Sequence, residues 1–546
     1  MQYLRWVAYD QGIHPQYGTE HFLVVGASGS GKTIIINTLL QSVFESNRSF
    51  RAMVYDPKQE MLPYLYGFAN KRASQIKVLH PFDSRSCAWN LAEDIDGPVS
   101  ARQFATILIP DGEANSGSES FFTNAVRDLL TGVILSFINC VPNPKAWTFR
   151  DIILAMLYEP YLRFIIEIDR MRGGDAFPFA SRLRDSYLAG DPQKSDPRTT
   201  SNIRATINTK LSIYEPVAAV WHFATEAGNT FSLSQWVKEG CNDVLVLGND
   251  EAGRAAIDSI NQAIFKRTTE LLLANREMTT VEREKGENQT WFFLDEVREA
   301  GQLDGLSRLL TKGRSKGACV VLGFQDIDGM RNAYGEETAH EICGQCNNIG
   351  ILKLNSPSTA EWSTEIFGRR LTKSQSTSRA LSSEGGMQMS SEAGEDERPW
   401  VYTSDLLYLP TTSPKRGLDG YFRGPGIDPH VHSMRVTLNW QKDIEPYRPK
   451  AHPDVKAKEA LKQVSDFAAR KMRPVSEHYL KPWDNEDWKR LGLDKISQDV
   501  ISWKVQPTQN VANKKPSGTR LRDINEERKT HLFASEEMCP SDDIGR

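Results

Sequence analysis

The chain has 546 residues, 39% of them hydrophobic and 25% charged, with a formal net charge of -4. That length exceeds the usual single domain, and the composition is that of a globular chain with a large core rather than a disordered or collagenous one. The slightly acidic balance excludes recruitment of nucleic acid by bulk charge, so any DNA site must be a local patch or a pore made by assembly.

The first twenty residues lack the apolar centre of a secretory signal. The most apolar run, LLTGVILSFINC, is shorter than the roughly 18 residues of a membrane span. A reducing cytoplasm is therefore the expected compartment. The seven cysteines are scattered, unlike a disulfide framework. CGQC (343–346) has metal-knuckle spacing, but no second pair accompanies it, so ordinary thiols are expected.

In chain order, FLVV (22–25) reads as a short buried strand and TIIINTLLQSVF (33–44) as a helix. AMVYD (52–56) and IKVLHPFD (76–83) continue the strands, the latter broken by Pro81. From 97 to 200 the apolar spacing turns helical, as in FFTNAVRDLLTGVILSF, and predicts a helical insertion ending in a polar loop at 190–201. Strands return at DVLVLGN (243–249), WFFLDE (291–296), ACVVLGFQ (318–325) and IGILKL (349–354). Strands alternating with helical patterns predict a parallel α/β sheet. The Ser-, Gly- and Glu-rich stretch 374–397 is expected to be a mobile loop. The segment from about 440 to 453 closes the ordered part, and 450–546 reads as partly disordered with short helices. The division predicted is a nucleotide-binding domain in two parts, 1–96 and 201–445, an all-α insertion at 97–200 and a tail at 446–546.

The stretch GASGSGKT, from Gly26 through Ala27, Ser28, Gly29, Ser30, Gly31 and Lys32 to Thr33, fits G-x-x-x-x-G-K-[ST]. Consecutive backbone N–H groups in such a loop converge on phosphate oxygens, helped by the positive end of the following helix. Lys32 would reach the β- and γ-phosphates of ATP, and Thr33 would hold Mg2+. A chance match in a chain of this length has odds on the order of one in fifty, and the strand before and helix behind lower them further.

WFFLDE sets Asp295 and Glu296 at the end of an apolar strand, where ligands bind in open parallel sheets. An acidic pair there is costly without a cation or a reaction to use it. Asp295 suits Mg2+, and Glu296 suits the base that polarises an attacking water. Gln325, at the tip of another strand, could sense the γ-phosphate. Arg314 precedes that strand and is either a surface arginine or an arginine finger reaching a neighbouring subunit's nucleotide.

Together, GASGSGKT, AMVYDPKQE, HPFDSRSCAWNL, WFFLDE, TKGRSKGACVVLGFQ and AYG resemble type IV secretion coupling proteins of the TraD/TrwB/TraG kind, relatives of the FtsK/HerA DNA pumps. RPWVYTSDLLYLP (398–410) resembles the closing element of that motor domain. The resemblance spans about residues 18–440, and the Tyr55-Asp56-Pro57-Lys58 block is among its more specific parts. It implies a RecA-like P-loop NTPase with an inserted all-α domain, assembled as a homohexameric ring. ATP hydrolysis would move DNA, expected to be single-stranded, through a central pore toward a secretion channel, with a relaxase as partner. The family's phosphate-binding lysine and threonine fall on Lys32 and Thr33, and its acidic pair on Asp295 and Glu296. Its bridging arginine falls on Arg314, its strand-end glutamine on Gln325. Such proteins usually begin with membrane-spanning helices, and none precedes the loop here: either this is a soluble relative, or another chain supplies the anchor, or the gene is shortened, and membrane contact is expected only through partners. Two other readings stand beside this one: a nucleotide-dependent docking platform for a relaxase with little turnover, and an FtsK/HerA-like translocase of chromosome or plasmid.

Two segments are candidates for contact with DNA. FGRRLTKSQSTSR offers Arg369, Arg370, Lys373 and Arg379 to a pore, or is a solvated charged loop. KPWDNEDWKR offers Trp483 and Trp488 as a stacking platform for bases, or is a short segment that docks on the body or on a partner.

Overall fold

The computed structural model describes most of residues 3–438, with its longest internal breaks at 66–74 and 169–196, and then residues 472–493. The expected tail at 450–471 and 494–546, the proline-rich stretch near 440–453 and most of the polar loop at 190–201 lie outside the described residues. Of that loop, residues 197–201 already belong to the helix Pro197–Leu211.

Among the described residues, nine strands form the central sheet: β1 (Phe22–Val25), β2 (Phe50–Asp56), β3 (Ile76–Val78), β6 (Val244–Gly248), β7 (Gln289–Leu294), β8 (Ala318–Phe324), β9 (Asn348–Ile351), β12 (Leu418–Arg423) and β13 (Met434–Leu438). Their order is β13-β12-β9-β1-β8-β7-β2-β6-β3. From β9 to β3 every pair is parallel. β12 and β13 add an antiparallel edge that strand reading from residue patterns did not anticipate. Parallel strands are covered on both faces, which is why β1, β2, β7 and β8 are apolar almost throughout and buried at every position. The expected strand 76–83 is cut to three residues: Leu79 N–H makes one further hydrogen bond, to Val246 O, and the chain turns at 81–82.

The core of one face joins aromatic side chains from distant segments: Trp6 packs edge-on against Phe22 and Phe422, and Trp291 lies flat against Phe293. His21, which opens β1, is buried. Its Nε2–H donates to the Leu310 carbonyl, and its Nδ1 accepts from Val320 N–H. Burial lowers its pKa to about 4, so it serves as a neutral clamp between β1 and the elements around β8.

Two further strands, β4 (Ala88–Trp89) and β5 (Thr230–Phe231), pair in parallel. Between them lie the helices Pro98–Leu108, Gly117–Asn139, Phe149–Leu157, Glu159–Ile168, Pro197–Leu211 and Glu215–Glu226. Buried Asp94 ties this neck together by accepting from Trp89 Nε1–H, the Ser232 hydroxyl and Leu233 N–H. The helix Gly117–Asn139 exceeds the apolar run seen in the sequence. By length and composition its stretch Glu119–Asn139 could cross a membrane, yet 67% of its most apolar window is buried against the rest of the chain. It is a core helix of this region.

The stretch expected to be a mobile loop is instead an antiparallel ribbon of β10 (Arg369–Leu381) and β11 (Met387–Pro399). Main-chain hydrogen bonds form such a ladder whatever the side chains, so a Ser-, Gly- and Glu-rich composition hid it. Arg369, Arg370, Lys373 and Arg379 all fall on β10, and the Arg370 guanidinium lies 4.8 Å from the Trp400 ring centroid.

Residues 472–493 return to the body. Met472 bridges Asp83, and Arg473 N–H donates to the Phe82 carbonyl. Trp483 and Trp488 are 6% and 4% exposed, with Trp483 stacked on Tyr161 at 4.4 Å. Indoles buried in this way have no face to offer a base, so this segment docks on the body and the stacking-platform reading fails. Arg150 and Arg490 surround Asp487 and Asp151 in a buried ion-pair cluster that fastens it.

Candidate nucleotide site

The phosphate loop leaves the carboxyl end of β1 and enters the helix α1 (Lys32–Glu45). Gly29 and Gly31 have φ of 73° and 99°, a left-handed backbone that a Cβ would strain. A Cβ on Gly31 would also sit 2.3 Å from Leu418 Cδ1. The end of β8 and two segments beyond the strands hold the loop's shape. Gly26 N–H donates to Phe324 O, Ala27 N–H to Lys353 O, and the Thr412 hydroxyl to Ser30 O. Ser28 and Gly29 face solvent, whereas Ser30 is buried.

Strand β8 lies between β1 and β7, so the loop and the two carboxylates sit one strand apart, about 10 Å between strand axes. Side chains close that distance. The Thr33 hydroxyl donates to Asp295 Oδ2 at 2.8 Å. Lys32 Nζ donates to the Gly26 carbonyl at 2.8 Å and lies 3.4 Å from Glu296 Oε1. Gln325, at the tip of β8, donates from Nε2 to Glu296 Oε1 at 2.8 Å. Lys32, Thr33, Asp295, Glu296 and Gln325 thus converge from three parallel strands.

Glu296 has φ 54° and ψ 53°, unusual for a residue with a side chain. Such a backbone costs roughly 1 kcal/mol or more, and it turns the carboxylate back over the strand ends. Burial would raise the Glu296 pKa, but Lys32, Gln325 and Lys58 outweigh it and hold the group below the ordinary carboxylate range. Asp295 goes the other way. Burial raises it and the Thr33 hydroxyl opposes only in part, while the charge of Glu296 pushes it further up. Asp295 Oδ1 is buried with no hydrogen-bond partner among the described residues. A buried carboxylate oxygen left unpaired beside a threonine hydroxyl is the donor set a hard divalent cation uses, so these residues fit Mg2+.

Arg314 is elsewhere. It precedes β8, at the amino end of a seven-residue strand, about 20 Å from the site by strand length. It is half exposed and paired with Glu20 Oε1 at 2.6 Å. It cannot reach the phosphate loop of its own chain.

Two contributors escaped the residue patterns. Gly323 on β8 faces Asp295, and a Cβ there would lie 2.8 Å from Asp295 Oδ1. A lone glycine inside an apolar strand is the signal that could have found it. Lys58, in the block Tyr55-Asp56-Pro57-Lys58, brings Nζ to 3.2 Å from Glu296 Oε1.

Residues 12–160 and 170–431 match the model of the type IV secretion-system coupling protein DNA-binding domain. The chain belongs to this family. It is 23% identical over 443 residues to the coupling protein TraD of Escherichia coli, covering 80% of this chain and 54% of TraD. It is 24% identical over 412 residues to the probable conjugal transfer protein TraG of Sinorhizobium fredii, covering 72% of this chain and 59% of that one. The chain therefore spans little more than half the length of these relatives. In fold it is similar to the bacterial conjugative coupling protein TrwBdeltaN70 in its unbound monoclinic form, with a TM-score of 0.56 at 19% identity over 80% of this chain and 88% of that one. The TrwB complex with ADP and Mg2+ superposes with a TM-score of 0.56 at 18% identity, over 80% of this chain and 89% of TrwB. The family fold is a RecA-like α/β sheet, as the resemblance implied, and the residue patterns had predicted its parallel strands.

Proposed function

We propose that this chain is an ATP-driven motor that moves single-stranded DNA through the pore of a homohexameric ring and links a relaxase–DNA substrate to a type IV secretion channel. Family membership supports it, as do relatives named for coupling and conjugal transfer. TrwB is described with ADP and Mg2+ and with non-hydrolysable GTP and ATP analogues. The observation in this chain that carries the reading is the Thr33–Asp295 contact, with Asp295 Oδ1 buried and unpaired beside it.

Lys32 leaves its own loop carbonyl to pair with the β- and γ-phosphates. Thr33 and Asp295 hold Mg2+, which when bound neutralises charge on those phosphates. Glu296, kept ionised by its cationic neighbours, polarises the attacking water. Gln325 bridges Glu296 and the γ-phosphate position from the strand between them. Arg314 acts on the nucleotide of the adjacent subunit, since it lies at the far end of its own sheet. The motor works on the cytoplasmic side, where ATP is available.

The test is ATP turnover by the purified chain with and without single-stranded DNA, alongside a native mass measurement. DNA-stimulated turnover, lost in Lys32→Ala, and a mass of six subunits are expected. Turnover that survives Lys32→Ala would overturn the site. Turnover indifferent to DNA, with nucleotide-dependent capture of a relaxase, would favour a docking platform instead.

A further inference from the structure

The block Asp56-Pro57-Lys58 enters the site only through the contact of Lys58 with Glu296. Asp56 ends β2 and is buried at 3% exposure. Its Oδ2 accepts from the backbone N–H of both Met61 and Leu62. The carboxylate therefore ties the chain beyond Lys58 back onto the strand end, and Pro57 restricts φ within that turn. Lys58 stands on this braced turn at the carboxyl edge of β2, next to β7. Its ammonium reaches Glu296 Oε1 from the side opposite Lys32 and Gln325.

Among the described residues Glu296 Oε1 thus has three positive or donating partners: Gln325 at 2.8 Å, Lys58 at 3.2 Å and Lys32 at 3.4 Å. They are not equivalent once nucleotide enters. Lys32 is the residue whose ammonium goes to the phosphates, and the γ-phosphate brings negative charge close to Glu296. Of the two cations beside Glu296, only Lys58 sits on an element that contributes nothing to the phosphate loop. Without it the carboxylate would face that charge held by one neutral amide alone.

Resting on the hydrolysis reading above, we propose that Lys58 is a positioning residue that keeps Glu296 aimed at the attacking water after Lys32 has moved to the nucleotide. Lys58 acts through Oε1, which leaves Oε2 to polarise the water. Asp56 supports it by bracing the turn. The block then connects the end of β2, one strand beyond β7, to the chemistry at β7 and β1.

The experiment compares kcat and KM for ATP in the full chain with those of Lys58→Ala and Lys58→Arg, together with binding of a fluorescent ADP and thermal melting. Lys58 is half exposed, so its replacement should leave the fold intact. Loss of aim alone should lower kcat by tenfold to about a hundredfold, with KM and ADP affinity within about twofold of wild type. Lys58→Arg should recover most of the loss, because the charge returns at nearly the same reach. A kcat for Lys58→Ala within about twofold of wild type, or above it, would overturn the proposal. So would a fall in ADP affinity matching the fall in kcat, which would place Lys58 on the nucleotide instead. A wild-type chain with no turnover would sink the hydrolysis reading and this inference with it, whereas an active wild type indifferent to Lys58→Ala would sink only the inference.

Discussion

Thr33 and Asp295 lie 262 positions apart in the chain and meet through a hydrogen bond of 2.8 Å across the end of β8. The contact joins the first turn of the helix behind the phosphate loop to the carboxyl end of β7. It also leaves the second oxygen of Asp295 without a partner. Removing the hydroxyl with Thr33→Val, or the charge with Asp295→Asn, should weaken Mg2+-dependent ATP binding by tenfold to about a hundredfold. Binding measured in EDTA should change far less. Equal losses with and without Mg2+ would show that the pair only shapes the loop.

Glu296 sits among cations and donors that hold it ionised below the ordinary carboxylate range. Glu296→Gln keeps the shape and removes the proposed base. Turnover should fall by about a hundredfold to ten-thousandfold while ATP affinity is kept or rises. Measured single-turnover rates beside equilibrium binding separate the two, and a parallel loss of both would deny Glu296 its role.

Arg314 stands at the opposite end of β8 from the site, half exposed and paired with Glu20. If it serves the next subunit, Arg314→Ala should bind ATP normally and turn it over at least about a thousandfold more slowly. Mixing Arg314→Ala with Glu296→Gln protein should then recover part of the activity, because a mixed ring contains interfaces with both residues intact. No recovery at any mixing ratio would argue against action between subunits.

Gly323 leaves 2.8 Å between its would-be Cβ and Asp295 Oδ1. Gly323→Ala must displace either the strand or the carboxylate, at a cost of about 1–3 kcal/mol. The expected outcome is a lowered melting temperature together with weakened Mg2+ dependence of ATP binding. Unchanged Mg2+ dependence would show that the strand gives way and the carboxylate does not move.

Asp487 fastens the segment 472–493 to the helical region through Arg150 and Arg490. Burial raises its pKa, but the two arginines outweigh burial and hold it below the usual value. A depressed carboxylate adds stability that is complete above the unfolded pKa of about 3.9 and is lost as pH falls toward the lower folded value. Tryptophan fluorescence should therefore shift to the red below about pH 4 as Trp483 and Trp488 become wet. Asp487→Asn should remove that acid step and cost about 3–5 kcal/mol at neutral pH by leaving Arg150 buried without its partner. An acid transition unchanged by Asp487→Asn would place its origin elsewhere.

The parts of this protein legible in its residues are those whose physics is local. A phosphate loop needs glycines at left-handed positions and a lysine and threonine at the helix start, and GASGSGKT shows all of them. Strands buried on both faces must be apolar along their length, so FLVV, WFFL and ACVVLGF announced themselves. Asp295 and Glu296 were legible because acidic residues directly after such a strand are otherwise too costly to keep. The ribbon at 369–399 was not, since main-chain ladders need no side-chain pattern. The docking of Trp483 and Trp488 was open between two readings until buried partners on distant helices closed one.

Tertiary structure alone decided the order of the strands, and with it the site. Placing β8 between β1 and β7 brings Gln325 onto Glu296 and sends Arg314 to the far end of the sheet. Placing β2 beside β7 brings Lys58 to the same carboxylate. Residue patterns carry no record of which parallel strands become neighbours, because every buried strand presents the same apolar face and the pairing is chosen by how the intervening helices pack.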